Sequence, residues 1–105
     1  MNDNQKQILL KIARDNVESA VLHKSLPAPH SDDPELNQPC GCFVTLKNGD
    51  DLRGCIGQFV ADRPLIEMVA LMAQASATGD PRFFANPITA HEFNLLDIEI
   101  SVLSP

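Results

Sequence analysis

The residues best suited to chemistry lie in one short run, Leu52-Arg53-Gly54-Cys55-Ile56-Gly57. Arg53 and Cys55 are two apart, so on a regular strand they project from the same face. A guanidinium beside a thiol favours the thiolate, which makes Cys55 a candidate nucleophile and Arg53 a clamp for an anionic group. Gly54 and Gly57 leave room for close backbone approach, by a ligand or by a packed helix. Arg82 follows a helical segment and can join the same face, with Asp51 or Glu99 orienting either arginine. The plainer reading of the same run is a small buried cysteine between glycines, with Arg53 in a structural ion pair.

Other candidates are weaker. Cys40-Gly-Cys42 lacks the two further ligands that a structural zinc site needs, so no metal site is expected. His30 sits alone in a Pro-rich loop, His91 lies near a short capped turn, and His23 complements the end of a helix. Gly54-x-x-Gly57 stands in a strand without the helix N-terminus that a phosphate loop requires, and no cofactor is expected.

Positioning these residues takes four elements. Residues 3–24 repeat Leu9, Ile12, Ala13, Val17, Ala20 and Val21 at helical spacing, with Asp3 or Asn4 as cap. Residues 25–39 carry four prolines and the acids Asp32, Asp33 and Glu35, which predicts an irregular surface loop. Residues 42–57 read as a hairpin around Asn48-Gly49. A three-residue loop with Gly49 left-handed puts Cys42, Val44, Leu46, Leu52, Gly54 and Ile56 on one apolar face. Phe43, Thr45, Asp51, Arg53 and Cys55 then share the other, so Cys42 and Cys55 do not pair. Residues 63–78 form a helix apolar nearly all round, which must be buried. Thr89-x-x-Glu92 is a capped helical turn. Residues 95–103 alternate Ile98, Ile100 and Val102 against Asp97, Glu99 and Ser101, a clear strand. The fold class is α/β of the mixed α+β kind: helix, hairpin, helix, strand, with a small sheet covered by helices.

The chain has 105 residues, enough for a single domain. Leu, Ile, Val and Phe make up 30 of them, well above the share typical of disordered chains. The longest apolar stretch, Met68 to Ala73, is far short of a membrane span, and the polar start is no signal peptide. A net charge of −6 argues against nucleic-acid binding. Three cysteines without an export signal point to the cytoplasm.

Five segments occur in a telling order: Phe43-Val44-Thr45-Leu46, Leu52-Arg53-Gly54-Cys55-Ile56-Gly57, Arg63-Pro64-Leu65, Asp80-Pro81-Arg82-Phe83 and Glu99 to Pro105. Together they resemble the AMMECR-one domain family, whose bacterial and archaeal members are called AmmeMemoRadiSam system protein A. Leu-Arg-Gly-Cys-Ile-Gly is its signature, and Cys40 and Cys42 depart from its pattern. The resemblance implies a two-part α/β fold of which this chain is the N-terminal part. Further strands and a final helix would follow Pro105. It also implies a link to a Memo-type protein and a radical SAM protein in a modification pathway, with no settled activity. Two functions are then expected to compete: binding of an anionic or peptide-like ligand at the Arg53/Cys55 face, or a non-catalytic scaffold for a partner protein. The apolar second helix and the early end predict self-association, or association with a missing C-terminal segment.

Overall fold

The computed structural model describes residues 1–103. Helix α1 spans Asp3–Leu22, strands β1 and β2 span Cys42–Asn48 and Asp51–Gln58, and helix α2 spans Leu65–Thr78. A 3-10 turn at Pro81–Phe83 and the short helix α3, Ala90–Phe93, lead to strand β3, Asp97–Val102. The sheet order is β2-β1-β3, with both outer strands antiparallel to β1. The mixed α/β class is as expected.

Helix α1 starts one residue earlier than its expected caps. Asn2 accepts from the Gln5 N–H at 2.8 Å while Gln5 Oε1 accepts from the Asn2 N–H at 2.8 Å. Gln5 lies three residues on from Asn2, which completes a reciprocal capping box that Asp3 and Asn4 cannot form. The helix ends on His23, whose φ of 56° is the left-handed C-terminal conformation, and the next N–H, of Lys24, returns to the Ser19 carbonyl.

The connector after α1 carries no helix or strand, yet it is anchored inward. Leu36 is fully buried. Helix α2 has no side-chain cap at Pro64. Its first donors are taken instead by the connector: Leu65 N–H reaches the Gln38 carbonyl at 2.9 Å and Ile66 N–H the Leu36 carbonyl at 3.1 Å. Helix ends leave such donors unpaired, and here a neighbouring backbone satisfies them.

Within the hairpin the expected faces hold for Cys42, Val44, Leu46, Gly54, Ile56, Phe43, Thr45 and Cys55, but near the turn they are reversed: Leu52 lies opposite Lys47 on the Phe43 and Thr45 face, and Asp51 lies opposite Asn48 on the other. Asn48 pairs with Asp51 across a two-residue turn, not a three-residue loop, and Gly49 supplies the positive φ of 60°. Parity is restored further along. Leu46 faces Gly54 while Lys47 faces Leu52, so Arg53 is the extra residue of a β-bulge. Cys42, Val44 and Leu46 are fully buried beneath the helices, with Gly54 and Ile56 beside them. Cys55 lies opposite Thr45 on the other face.

Helix α2 lies between the sheet and α1. Leu65, Ile66, Met68, Val69, Met72, Ala73 and Ala77 join one core with Leu9, Ala13 and Val17. Its polar side is met by α1, where Gln74 Nε2 donates to Asn16 Oδ1 at 2.7 Å. The apolar circumference of α2 is buried because α1 covers the flank the sheet leaves open; only Leu71 stays exposed among its large apolar residues.

The helix reaches the sheet by an unusual contact. Ser76 Oγ accepts from the Ile56 N–H at 3.0 Å and donates to the Val44 carbonyl at 2.7 Å, standing within the β1–β2 ladder. Gly54 permits it, since a Cβ there would collide with the Ser76 carbonyl oxygen.

The two glycines predict different losses. Gly49→Ala meets open space and only the conformational penalty, about 1 kcal/mol. Gly54→Ala must push helix backbone away from the sheet and should cost about 3 kcal/mol. Urea denaturation of both variants checks this; equal losses would refute the close-approach account.

Candidate functional site

The bulge decides the site. Doubling the residues opposite Leu46 turns Arg53 toward the helix-covered side, away from Cys55. Its partners lie there: Nε donates to Glu92 Oε2 at 2.7 Å, and Nη2 donates to Glu92 Oε1 at 3.1 Å and to the Asn86 carbonyl at 2.7 Å. The Phe83 ring lies 5.6 Å from the guanidinium carbon. Asn48, on the same face as Val44 and Leu46, also donates to Glu92 Oε2, at 3.3 Å. The shared face expected for Arg53 and Cys55 is thus corrected, and Arg53 is 7% exposed with its charge matched. Glu92 is the partner, not Asp51 or Glu99. The Thr89 side chain caps the Glu92 N–H at 3.1 Å and fixes it in place. The Arg53 guanidinium holds the Glu92 carboxyl below its usual range.

Cys55 sits on the open face, its sulfur 3.3 Å from Thr45 Oγ1. Its backbone faces the outer edge of β2, where the 3-10 turn seals it. Cys55 N–H donates to Asp80 Oδ2 at 3.1 Å, and Arg82 Nη2 donates to the Cys55 carbonyl at 3.3 Å. Arg82 also grips Asp80 with two bonds, Nε to Oδ1 at 3.0 Å and Nη2 to Oδ2 at 2.7 Å. The hydrogen bond from Arg82, with the Cys55 and Arg82 N–H groups, brings the Asp80 carboxyl down to about 2 despite its burial. Arg82, not Arg53, is the guanidinium beside Cys55.

The two glycines of the signature serve packing. Gly54 admits α2, and Gly57 leaves the space that the Phe43 ring occupies across the strands. Across the open face Cys55, Thr45 and Glu99 form one row, and Gly57, Phe43 and Ser101 the next. Lys47 Nζ lies 3.6 Å from Glu99. Phe59 stacks edge-on against Phe43 at 5.3 Å and is otherwise exposed. Cys42 faces the core, where burial pushes its thiol up to about 12. Cys40 Sγ donates to the Leu103 carbonyl at 2.8 Å. Among the described residues no three His, Cys, Asp or Glu side chains converge as a metal site would need, and no helix is long and apolar enough to cross a membrane.

Arg53 and Asp80 line a cavity of about 270 Å³ with Phe83 and Ile88, and Cys55 is not part of it. The three residues expected to act together, Arg53, Cys55 and Arg82, therefore do not share one concavity. Sequence reasoning missed Asp80 and Glu92 as the carboxylates that hold the arginines, although the Thr89 cap and the Asp80-Pro81-Arg82 run were visible signals for both.

Two predictions follow from these pairs. Glu92→Ala strands a buried guanidinium and should lower stability by about 3 kcal/mol, read by thermal melting. Asp80 titrates lower in the folded chain than in the unfolded one. Its contribution is therefore complete above 3.8, and is lost as pH falls through about 2. Acid unfolding of Asp80→Asn should lack this part of the pH dependence; an unchanged acid transition would refute the assignment.

The family model described as AMMECR1 matches residues 10–105. A protein of Methanothermobacter thermautotrophicus is 38% identical over 106 residues, covering 100% of this chain and 54% of the relative. Protein TK0174 of Thermococcus kodakarensis is 38% identical over 111 residues, covering 100% of this chain and 53% of the relative. The crystal structure of the uncharacterized protein PH0010 from Pyrococcus horikoshii superposes with a TM-score of 0.86 at 36% identity, covering 100% of this chain and 54% of that one. The chain thus spans about half the length of the relatives it matches. With a family model matching nearly its whole length, the chain belongs to the AMMECR1 family.

Proposed function

We propose that the open sheet face around Cys55, Thr45 and Arg82 binds an anionic or peptide-like ligand. The protein would act as a cytoplasmic component of a modification pathway linked to a Memo-type protein and a radical SAM protein. The observation that carries this reading is the Cys55 sulfur on an uncovered face beside the Thr45 hydroxyl, with Arg82 hydrogen-bonded to the Cys55 carbonyl. The Arg82 side chain is 57% exposed, so it keeps donor capacity toward solvent while Asp80 holds it in place. Arg53, Gly54 and Gly57 contribute by shaping the strand that presents Cys55. In this reading Cys55 is the nucleophile if the ligand is transformed, and a contact residue if it is only held.

A second reading, a non-catalytic scaffold that docks a partner protein, is favoured by a separate observation. Phe59, edge-on to Phe43, is 78% exposed and its chain neighbour Val60 63%, an apolar surface suited to protein contact. Both arginines also carry a matched carboxylate, which reduces their pull on a free anion.

Alkylation followed by peptide mapping tests the premise. Cys55 should react with iodoacetamide in the native chain while Cys42 reacts only on unfolding. Calorimetric titration with purified Memo-type and radical SAM proteins then separates the readings. If the Cys55 face is the contact, Thr45→Arg should weaken binding about tenfold or more, and Phe59→Ala should leave it nearly unchanged. The reverse pattern supports the scaffold. A Cys55 that resists alkylation until the chain unfolds removes the nucleophile, and binding to neither protein sinks the pathway assignment.

A further inference from the structure

The cavity that Arg53 and Asp80 share draws its walls from residues between Val21 and Ile88, well inside the chain. Its two charged groups differ in free capacity. Asp80 has none: Oδ1 accepts from the Arg82 N–H and Nε, and Oδ2 from the Cys55 N–H and Arg82 Nη2. Arg53 is different. Glu92 and Asn86 engage its Nε and Nη2, while Nη1 has no hydrogen-bond partner among the described residues. No buried side-chain nitrogen among those residues is left unpaired, so Nη1 is reached by solvent although Arg53 itself is buried. The Ser76 and Thr78 hydroxyls already donate to the Val44 and Gln74 carbonyls, and His23 stands exposed at the opening. The other walls are apolar: Val21, Ala77, Pro87, Ile88 and the Phe83 and Phe84 rings.

We propose that this cavity binds a small neutral molecule with a carbonyl-type acceptor on an apolar body, the acceptor oxygen on Arg53 Nη1 and the body against Phe83 and Ile88. Charge selects the class. Glu92 already matches the guanidinium, and Asp80 adds a second carboxylate to the surroundings, so an entering anion would meet two like charges. What Arg53 lacks is an acceptor, not a counter-ion. A carbonyl oxygen supplies it, and the dry walls strengthen that bond. A flat body suits the site, because the Phe83 ring is held between two guanidinium carbons, 5.6 Å from that of Arg53 and 5.5 Å from that of Arg82. The cavity of about 270 Å³ takes roughly nine water-sized groups at ~30 Å³ each, the size of one small aromatic amide. Cys55 does not line it, so this site is separate from the open sheet face.

Benzamide and benzoate are matched probes, alike in shape and different in charge. Titrated into the ¹⁵N-labelled 105-residue chain, benzamide should bind in the millimolar range and move the amide resonances of Ala77, Thr78, Phe83, Phe84 and Ile88, with Thr45 unmoved. Benzoate should bind about fivefold more weakly or worse. Arg53→Lys removes Nη1 and keeps a cation for Glu92, and should weaken benzamide about tenfold. Thr78→Trp, at an exposed position on the cavity wall, should block entry with the circular dichroism unchanged, and decides the matter if the lysine variant fails to fold. Saturating benzamide should leave the rate of Cys55 alkylation unchanged. The proposal is overturned if benzoate binds as tightly as benzamide, or if no resonance saturates and the cavity holds only water. It is also overturned if the folded variants bind like the parent chain, or if benzamide slows alkylation of Cys55.

Discussion

The Ser76 hydroxyl between Ile56 N–H and the Val44 carbonyl is the contact on which the rest of this fold depends. Helix backbone rarely comes so near a strand, because a Cβ on the strand keeps it away. Gly54 removes that barrier, and the hydroxyl satisfies both ladder groups it meets, the Ile56 N–H and the Val44 carbonyl, so close approach leaves neither of them unpaired. Once α2 lies at this depth, its apolar circumference is shared between sheet and α1, and a short chain can bury it.

The bulge adjoins this contact. With Gly54 committed to the helix, the extra residue beside it is Arg53, and its long side chain runs beneath the sheet to Glu92. A buried guanidinium needs a carboxylate and further acceptors, and the Glu92 carboxyl and the Asn86 carbonyl provide them. Asp80 and Arg82 do the corresponding work at the outer edge of β2, where they take up the Cys55 N–H and carbonyl. The signature run is thus read twice: its inward residues dock a helix and a loop, and its outward Cys55 is left on an uncovered face.

Much of this was legible in the sequence because it rests on period and parity. The alternation of Ile98, Ile100 and Val102 defined β3, and the apolar face through Cys42, Val44 and Leu46 fixed the hairpin faces. Gly49 marked the positive φ. The direction of Arg53 was not legible, because a bulge adds one residue without leaving a compositional trace, and strict alternation then assigns the wrong side. Its partner Glu92 lies 39 positions away, brought near only by tertiary packing. Leu36 was hidden for a similar reason: a lone leucine among prolines and acids shows no period, yet it fills the space beside the start of α2.

That leucine's neighbourhood has a bearing on how the molecule opens. The first two donors of α2 are held by carbonyls of Leu36 and Gln38, not by a side chain of the helix's own cap. The first turn of α2 and the segment from Leu36 to Gln38 therefore come apart together, as one unit of local unfolding. Amide hydrogens of Leu65 and Ile66 will exchange at the rate set by departure of the connector, well separated in sequence, and not by fraying of the helix. A Pro-rich loop thereby acts as a latch on the most buried helix of the fold.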